Sequence, residues 1–359
     1  MVYIGAENII SNVGKTAEEN FESITSGASC VKFYENKGFD DAGVFLGRIG
    51  EDQVSFTSLL LQSVDSALAN LHSPDLIRSP KTLWILSSTK GDLNSDINDP
   101  FFPAISDVVK KIGLKSRPVC LSNACVSGVM AINMAGQYIT SGRYDHVVVT
   151  GCDVISDFVT FGFQALFAMS NDVCRPFDKN RKGINLGEGA ATVILSKEKN
   201  VFNQEPSIYL GGSSSNDANH ISGPSRTGEG LKRSIEKTMT KANISDSEID
   251  HILAHGTATL YNDEMEAIAF NRVGLEQVPV NSLKGFYGHT LGAAGVIETA
   301  IGLQSIRNNI MVSSFGFEEQ GTTQEIAVLK ENKRGSLETF LKTSSGFGGC
   351  NSTLIIQRR

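Results

Sequence analysis

Hydrophobic and polar positions alternate in short blocks along the chain, and the blocks switch between strand-like and helix-like periods. The runs with the length and composition of β-strands are Thr82–Ser87, Pro118–Leu121, His146–Thr150, Ile249–Ala254, Val278–Ser282 and Met311–Ser313. Helical patterns separate them, and this alternation predicts an α/β fold in which helices cover parallel sheets. The 35 glycines are spread without any low-complexity tract, which favours tight turns over flexible linkers.

A weak internal repeat is visible within this pattern. The segment that begins at Cys125 reads CVSGVMAINMAGQYITSG, and the segment that begins at His289 reads HTLGAAGVIETAIGLQSI. Each follows a strand-like run, has a glycine three residues on, and continues as a helix of small and apolar residues. Cys125 and His289 are 164 positions apart, as are Gly128 and Gly292. Chance similarity between two glycine-rich helix starts is the alternative; a true repeat would bring two equivalent helix starts together.

Composition limits the class of protein. A chain of 359 residues with 40% hydrophobic residues can bury one large core or two fused halves of ordinary domain size. The six cysteines form no CxxC pair and no signal segment opens the chain, so we expect free thiols and a cytoplasmic location. No apolar run approaches the roughly 18 residues that a membrane span needs, so no membrane insertion is expected. The net charge of −7 argues against nucleic acid as a partner.

Cys125 lies at a position suited to thiol activation. The run Pro118–Leu121 leads through a short turn into the cysteine, and Gly128, Ala131 and Ala135 follow on one slim face of a predicted helix. Unpaired backbone N–H groups at a helix start favour the thiolate, and such an elbow directs an N–H toward an oxyanion. Taken alone, however, the position favours a buried inert thiol, because free cysteine is among the most buried residue types.

Two of the six histidines stand in segments suited to chemistry. His255 follows a strand-like run in HGTATLYNDEMEA, and His289 lies at another strand-to-helix junction in NSLKGFYGHTLGAAGVIE. For either histidine alone, a polar core or surface position is the simpler interpretation. Neither segment has the spacing of a metal motif such as HExxH, so no metal site is predicted. Ordinary surface or strand-end positions are predicted for the other histidines: His72, His146, His220 and His251.

Five motifs follow one another in a characteristic order. They are ACVSG around Cys125, CRPFDKNRKGINLGEGAA at 174–191, HGTATLYNDEMEA at 255–267, KGFYGHTLGAAGVIE at 284–298 and GFGGCN at 346–351. In this order they resemble the β-ketoacyl-[acyl-carrier-protein] synthases, and the resemblance extends over nearly the whole chain. It implies the thiolase fold, in which two pseudo-repeated βαβαβ-type halves form a five-layer αβαβα sandwich. The expected halves are residues 1–200, with the nucleophile, and residues 201–359, with the histidines.

The resemblance also implies a reaction, the decarboxylative condensation of a 3-oxoacyl-[acyl-carrier-protein] synthase. Cys125 would accept an acyl group from a carrier-protein thioester, and malonyl-thioester would then lose carbon dioxide and attack that group. His255 and His289 would donate Nε2–H hydrogen bonds to the enolate oxygen, which requires both imidazoles to be neutral.

Supporting roles follow from the same resemblance. Lys284, paired with Glu266, would set the electrostatics of the two histidines. Thr257 and Thr259 match positions that hydrogen-bond the pantetheine arm of the substrate.

The acyl group has its own implied contacts. Phe163 matches a position that lines the acyl pocket, although a core phenylalanine is almost as good an interpretation. Phe347 matches the gating loop, and its backbone N–H would join that of Cys125 in an oxyanion hole. No cofactor is implied, because the phosphopantetheine of the carrier delivers the substrate. The implied partners are an acyl carrier protein and a second subunit, in a homodimer or in a heterodimer with a related synthase subunit.

This chain departs from the family pattern in ways that leave alternatives open. The segment from about Gly50 to Cys120 is shorter than in fatty-acid-elongating members, so the acyl chain length and the choice between fatty acid and polyene or polyketide synthesis stay open. Cys350 stands where the family usually has threonine, and a thiolase would use a second cysteine as base. A third possibility is a chain-length-factor-like subunit that shapes the pocket of a partner.

Overall fold

The structure is a computed structural model, and it describes residues 1–51, 53–217, 221 and 223–359. The helices within these ranges are α1 (Ala17–Thr25), α2 (Phe56–Ala69), α3 (Phe102–Ile112), α4 (Ser127–Thr140), α5 (Asp157–Ala165), α6 (Glu229–Ala242), α7 (Leu260–Arg272), α8 (Lys284–Tyr287) and α9 (Ala294–Asn308). The strands are β1 (Val2–Ile10), β2 (Val31–Tyr34), β3 (Val44–Gly47), β4 (Thr82–Ser87), β5 (Val119–Leu121), β6 (His146–Asp153), β7 (Leu186–Gly187), β8 (Gly189–Ser196), β9 (Ser207–Asn216), β10 (His251–Leu253), β11 (Val280–Asn281), β12 (Ile310–Met311), β13 (Lys333–Arg334), β14 (Thr339–Gly346) and β15 (Cys350–Gln357).

Ten of these strands form one mixed sheet with an internal symmetry. Their order is β11-β10-β14-β15-β9-β1-β8-β6-β4-β5. The order is symmetric about the junction of β9 and β1, where Val2 pairs with Tyr209 in antiparallel register. On each side of the junction the two inner strands are antiparallel to their neighbours, and the three outer strands are parallel to one another. The predicted pair of repeated halves is therefore present in the topology.

The prediction of parallel sheets was right only for the outer strands of each half. β14 and β15 are joined by the short turn Phe347–Gly349, and so short a connection can only join antiparallel neighbours. The predicted run Thr82–Ser87 coincides with β4, whereas the run Ile249–Ala254 contains only the short strand β10. It is shorter because Ile249 caps the preceding helical turn.

Side-chain alternation along the strands shows how the layers stack. In β4, Leu83 and Ile85 pack into a central core with α4 and α9, whereas Trp84 and Leu86 pack into an outer core with α2 and α3. In the second half of the sheet, Ile252 and its neighbours pack into another outer core with α6 and α7. Strands buried on both faces have continuous apolar runs. Strand residues from both halves of the ten-stranded sheet pack into the central core with α4 and α9, so the two halves form two sheet layers around these helices. The resulting order helix, sheet, helix, sheet, helix is the predicted five-layer sandwich.

The central layer depends on a close approach of α4 to α9. A Cβ atom on Gly128 would lie 2.8 Å from the backbone nitrogen of Val296, and one on Gly295 would lie 2.6 Å from that of Val129. The repeat aligned Gly128 with Gly292, but the structure opposes Gly128 to Gly295. The difference arises because a 3₁₀ turn from Leu291 to Ala293 precedes α9.

Two further expectations concern the chain as a whole. The predicted division into residues 1–200 and 201–359 stays a prediction, since one sheet runs through both parts. Among the described residues, no helix has the length and apolar content needed to cross a membrane.

The contact between α4 and α9 predicts the effect of a single methyl group. Gly128→Ala should lower the free energy of unfolding by about 2 kcal/mol, because the added Cβ meets backbone atoms that cannot move independently. Gly162→Ala in α5 is the matched control, since its Cβ would enter open space and alanine favours a helix. Urea denaturation of both variants measures the difference. Equal stability of the two would contradict this account of the interface.

Candidate active site

A cavity of about 490 Å³ leads from the surface to the three residues that the sequence motifs singled out. Its buried end is lined by Cys125, His255 and His289. Its outer end is lined by Phe167 and Tyr261, which are 95% and 75% exposed. A narrow substrate arm can therefore reach the buried thiol from solvent.

Cys125 lies in the predicted elbow between β5 and α4. The residue before it, Ala124, has a left-handed backbone with φ of 45°, which turns the chain sharply between strand and helix. The carbonyl of Cys125 accepts a hydrogen bond of 3.0 Å from the Ser344 hydroxyl on β14. Gly346 of the same strand lies so close that a Cβ there would be 3.1 Å from the Cys125 nitrogen. Both halves of the fold thus hold the cysteine.

The two histidines meet at the thiol. His289 Nε2 lies 2.9 Å from Cys125 Sγ, and the His255 ring stands edge-on to the His289 ring with their centroids 5.2 Å apart. The backbone of His289 is held on both sides, by Asn185 O at 2.6 Å from its nitrogen and by the N–H of Gly187 on its oxygen. Three residues that lie far apart in sequence are thereby brought together, as the motifs predicted.

Burial controls the protonation of these three groups. Burial raises the pKa of the Cys125 thiol to about 12, and the Lys284 ammonium offsets this only in part. The prediction that the helix start lowers the pKa was therefore wrong in direction, because loss of solvent outweighs the helix. Burial, reinforced by Lys284, lowers the pKa of both His255 and His289 well below the usual range. The resting site is a neutral thiol beside two neutral imidazoles.

The ion pair of Lys284 differs from the prediction. Lys284 Nζ pairs with Glu298 Oε1 at 2.8 Å, not with Glu266, and it also donates a hydrogen bond to the backbone oxygen of His255. Glu266 accepts the backbone N–H groups of His255 and Gly256 at 2.8 and 2.6 Å. Its two oxygens are thus occupied by the turn that carries the histidine, which leaves Glu298 of α9 as the counter-charge.

Two charged residues of this cluster were missed from the sequence. Glu298 stands alone in the small and apolar helix α9, and a lone carboxylate in such a helix is the signal that identifies it. Lys342 directly follows the apolar pair Phe340 and Leu341 within β14 and is fully buried, and a lysine inside a buried strand is the corresponding signal.

Thr257 and Thr259 line the cavity together. Their hydroxyl oxygens are 2.8 Å apart, and the backbone N–H of Thr257 donates to Asp263 Oδ1 at 2.9 Å. Asp263 is fully buried at the start of α7, and burial raises its pKa to about 6. The threonine hydroxyls therefore line the cavity from a turn that Asp263 holds.

Phe163 and Phe347 form one apolar surface of the cavity. Their rings are stacked with centroids 5.7 Å apart, although the first belongs to α5 and the second to the turn between β14 and β15. Glycines follow Phe347, and Gly348 and Gly349 both have positive φ, of 83° and 72°. Residues with a Cβ rarely adopt these backbone conformations, so the two glycines determine the shape of the turn that carries Phe347.

Three of the other histidines occupy the surface or strand-end positions predicted for them. His146 and His251 begin β6 and β10, and His72 is exposed. His220 lies outside the described residues.

Cys350 lines the same cavity, where its sulfur accepts a hydrogen bond of 3.3 Å from the Asn216 side chain. It is partly exposed and begins β15.

The donor atoms of Cys125, His255 and His289 all lie within 4.8 Å of one another. One thiol and two imidazoles at such distances have the chemistry of a soft-metal site. The expectation that no metal is used stays a prediction.

The protonation of the site generates a prediction for nuclear magnetic resonance. In protein with ¹⁵N-labelled histidine, the ring signals of His255 and His289 should stay those of neutral imidazole from pH 8 down to about pH 5.5, because burial and Lys284 disfavour the cation. Lys284→Met removes the nearest positive charge, so both rings should protonate at higher pH than in the wild type. Protonation of either wild-type ring near pH 6.5 would contradict the proposed electrostatics.

Known proteins resemble this chain in both sequence and fold. Residues 104–200 match the family described as "Beta-ketoacyl synthase, N-terminal domain", and residues 207–318 match "Beta-ketoacyl synthase, C-terminal domain". The fold is similar to a β-ketoacyl synthase from Burkholderia phymatum, with a TM-score of 0.87 and 22% identity over 100% of this chain and 99% of that one. It is equally similar to the ishigamide ketosynthase/chain length factor, with a TM-score of 0.86 and 22% identity over the same shares.

Curated relatives align over much of the chain. The 3-oxoacyl-[acyl-carrier-protein] synthase 2 of Coxiella burnetii is 32% identical over 69% of this chain and 63% of its own length. A Streptomyces violaceoruber protein named "Granaticin polyketide putative beta-ketoacyl synthase 1" is 30% identical over 89% of this chain and 78% of its own length. The aligned part spans less than two thirds of the first of these relatives. The family profiles, the relatives and the fold agree: this chain belongs to the β-ketoacyl synthase family.

Proposed function

We propose that this chain is a 3-oxoacyl-[acyl-carrier-protein] synthase that holds an acyl group on Cys125 and extends it with two carbons from malonyl-thioester. The observation that carries the proposal is the buried thiol 2.9 Å from His289 Nε2, with His255 beside it at the end of a cavity open to solvent. Family membership agrees with this chemistry.

The first step is transfer of the acyl group. Cys125 Sγ forms a bond to the acyl carbon, the bond from that carbon to the carrier sulfur breaks, and the carrier leaves as a thiol. Because burial keeps Cys125 protonated, its proton must move during attack, and His289 Nε2 is in position to pass it to the departing sulfur. The oxyanion of the intermediate is assigned to the N–H groups of Cys125 and Phe347, since Gly346 brings the Phe347 turn against the Cys125 nitrogen.

The second step is decarboxylation and condensation. The carbon–carbon bond to the malonyl carboxylate breaks, carbon dioxide leaves, and the electron pair forms an enolate. His255 and His289 donate Nε2–H hydrogen bonds to the enolate oxygen, and the enolate carbon then attacks the acyl-cysteine. The Cys125 thiolate that is released takes one proton from solvent, which balances the reaction.

His289 needs a different tautomer in each step. It accepts a proton at Nε2 in acyl transfer and donates one from Nε2 in decarboxylation. Among the described residues the Nδ1 atoms of both His255 and His289 are buried without a hydrogen-bond partner, so no neighbouring group locks either tautomer.

The charged residues behind the histidines have an electrostatic role. Burial keeps both rings neutral, Lys284 reinforces this effect, and Lys284 is itself balanced by Glu298. Glu266 orients His255 through its backbone N–H. The positive charge of Lys284 is in place before the enolate forms, so it lowers the cost of placing negative charge in a buried site.

The cavity also provides substrate contacts. Thr257 and Thr259 face the path of the pantetheine arm, and Phe163 and Phe347 present an apolar surface to the acyl group. An acyl carrier protein is proposed to dock at the mouth of the cavity, near Phe167 and Tyr261, since the pantetheine arm that it carries must enter at that end. No cofactor beyond the carrier's phosphopantetheine is part of the proposal.

Partner and location complete the proposal. A second subunit, identical or a related synthase subunit, is proposed, in either fatty acid or polyketide synthesis. The six free cysteines support a reducing compartment such as the cytoplasm.

Acyl loading gives the first test. Incubation with a panel of acyl-carrier thioesters should add one acyl mass to the wild type and none to Cys125→Ala, as read by intact-mass spectrometry. Cys120→Ala is the matched control, since this cysteine is exposed on β5 and should not affect loading. Loading that persists in Cys125→Ala would refute the assignment. No loading of the wild type, with tight binding to a synthase, would support the chain-length-factor-like alternative.

Decarboxylation of malonyl-carrier thioester gives the second test. His255→Ala and His289→Ala should each slow it by about 10²- to 10³-fold, the usual cost of losing one oxyanion donor. Cys350→Ser should change the rate by less than about twofold. The Cys350 sulfur accepts a hydrogen bond from Asn216 at the cavity wall, and a serine hydroxyl can accept the same bond. A large loss in Cys350→Ser would instead support the thiolase alternative, in which a second cysteine acts as base.

A further inference from the structure

A second lysine lies behind the candidate active site, and none of the roles above uses it. Lys342 is in the middle of β14, and its side chain is fully buried. An ammonium group in such a place must be compensated completely. Lys342 Nζ lies 2.7 Å from Glu298 Oε2 and donates to the backbone oxygens of Leu253 and Ala254 at 3.1 and 3.2 Å, and to that of Thr343.

Glu298 is shared between two lysines. Its Oε1 faces Lys284 at 2.8 Å and its Oε2 faces Lys342 at 2.7 Å. Burial opposes ionisation of Glu298, but the two ammonium groups outweigh it and lower the carboxyl pKa. One carboxylate thus pairs with two cations behind the histidines.

This unit holds the backbone of His255 from two directions. Lys284 donates to the backbone oxygen of His255 itself. Lys342 donates to the oxygens of Leu253 and Ala254, the two residues that lead from β10 into the histidine. The backbone of His289 has different contacts, with Asn185 and Gly187.

We propose that Lys342 is a positioning residue for His255. It fixes the end of β10 directly, and it fixes Lys284 through their shared partner Glu298. Both contacts orient the His255 ring toward the malonyl thioester oxygen. The inference rests on the proposed function, because it concerns the decarboxylation step. It separates the two steps of the reaction: Lys342 matters where His255 acts and not where His289 and Cys125 act alone.

The test compares the two steps in Lys342→Met, which keeps the side-chain length and removes the charge. The kcat of malonyl-thioester decarboxylation should fall about 10- to 100-fold, a typical cost of a misplaced catalytic group. Its KM and the rate of acyl loading on Cys125 should change by less than about twofold. The variant is expected to fold, because Glu298 keeps Lys284 as partner. Should it not fold, Lys342→Gln removes the charge and, although one atom shorter, retains an N–H donor for the backbone oxygens.

Lys241→Met is the matched control. Lys241 on α6 also donates to a backbone oxygen, that of Gly212 at 3.0 Å, but away from the site, so both steps should keep their rates. Equal losses in loading and decarboxylation, or no loss in either, would overturn the positioning role.

A readout without turnover separates this inference from the proposed function. In ¹⁵N-histidine spectra, Lys342→Met should shift the ring signals of His255 more than those of His289. If the wild type neither loads nor decarboxylates, the proposed function fails, and an unchanged His255 signal would then overturn the positioning role independently.

Discussion

The close contact of α4 with α9 is the constraint on which the site depends. Gly128 and Gly295 let the two backbones touch, and no larger residue fits at either position without moving main-chain atoms. Cys125 stands just before the first of these helices and His289 just before the turn that leads into the second, so the helix contact sets the distance between sulfur and imidazole. The distance between Cys125 and His289 is thus a property of the central layer.

Burial gives the site its electrostatic character. In water a thiol beside two histidines would exchange protons freely, whereas here burial favours the neutral form of all three groups. The charges lie one layer deeper, in the cluster of Lys284, Lys342 and Glu298. Positive charge behind neutral hydrogen-bond donors can stabilise an anion that forms transiently in the cavity.

The sequence predicted local features well and charge pairing poorly. The strand at Thr82–Ser87 and the junctions at Cys125 and His289 were predictable, because strand length, glycine spacing and helix starts depend on neighbouring residues. The partner of Lys284 was not predictable. Glu266 and Glu298 are both glutamates, and only the packing of α7 and α9 decides which of them contacts the lysine. The predicted direction of the Cys125 pKa shift was wrong for a related reason: a helix start is visible in sequence, but the depth of burial is not.

The pairing of β1 with both β8 and β9 has a consequence for how the molecule assembles. The first strand of the chain lies at the centre of the ten-stranded sheet and gains its second neighbour only with Ser207–Asn216. Helix α4 is covered on one side by strands of the first half and on the other by β9 and β15. Contacts between residues so distant in sequence slow folding, and the apolar face of α4 that packs on β9 and β15 cannot be covered before those strands are in place. We therefore expect the central layer to form late in folding, once β9 and β15 are available to pack against α4.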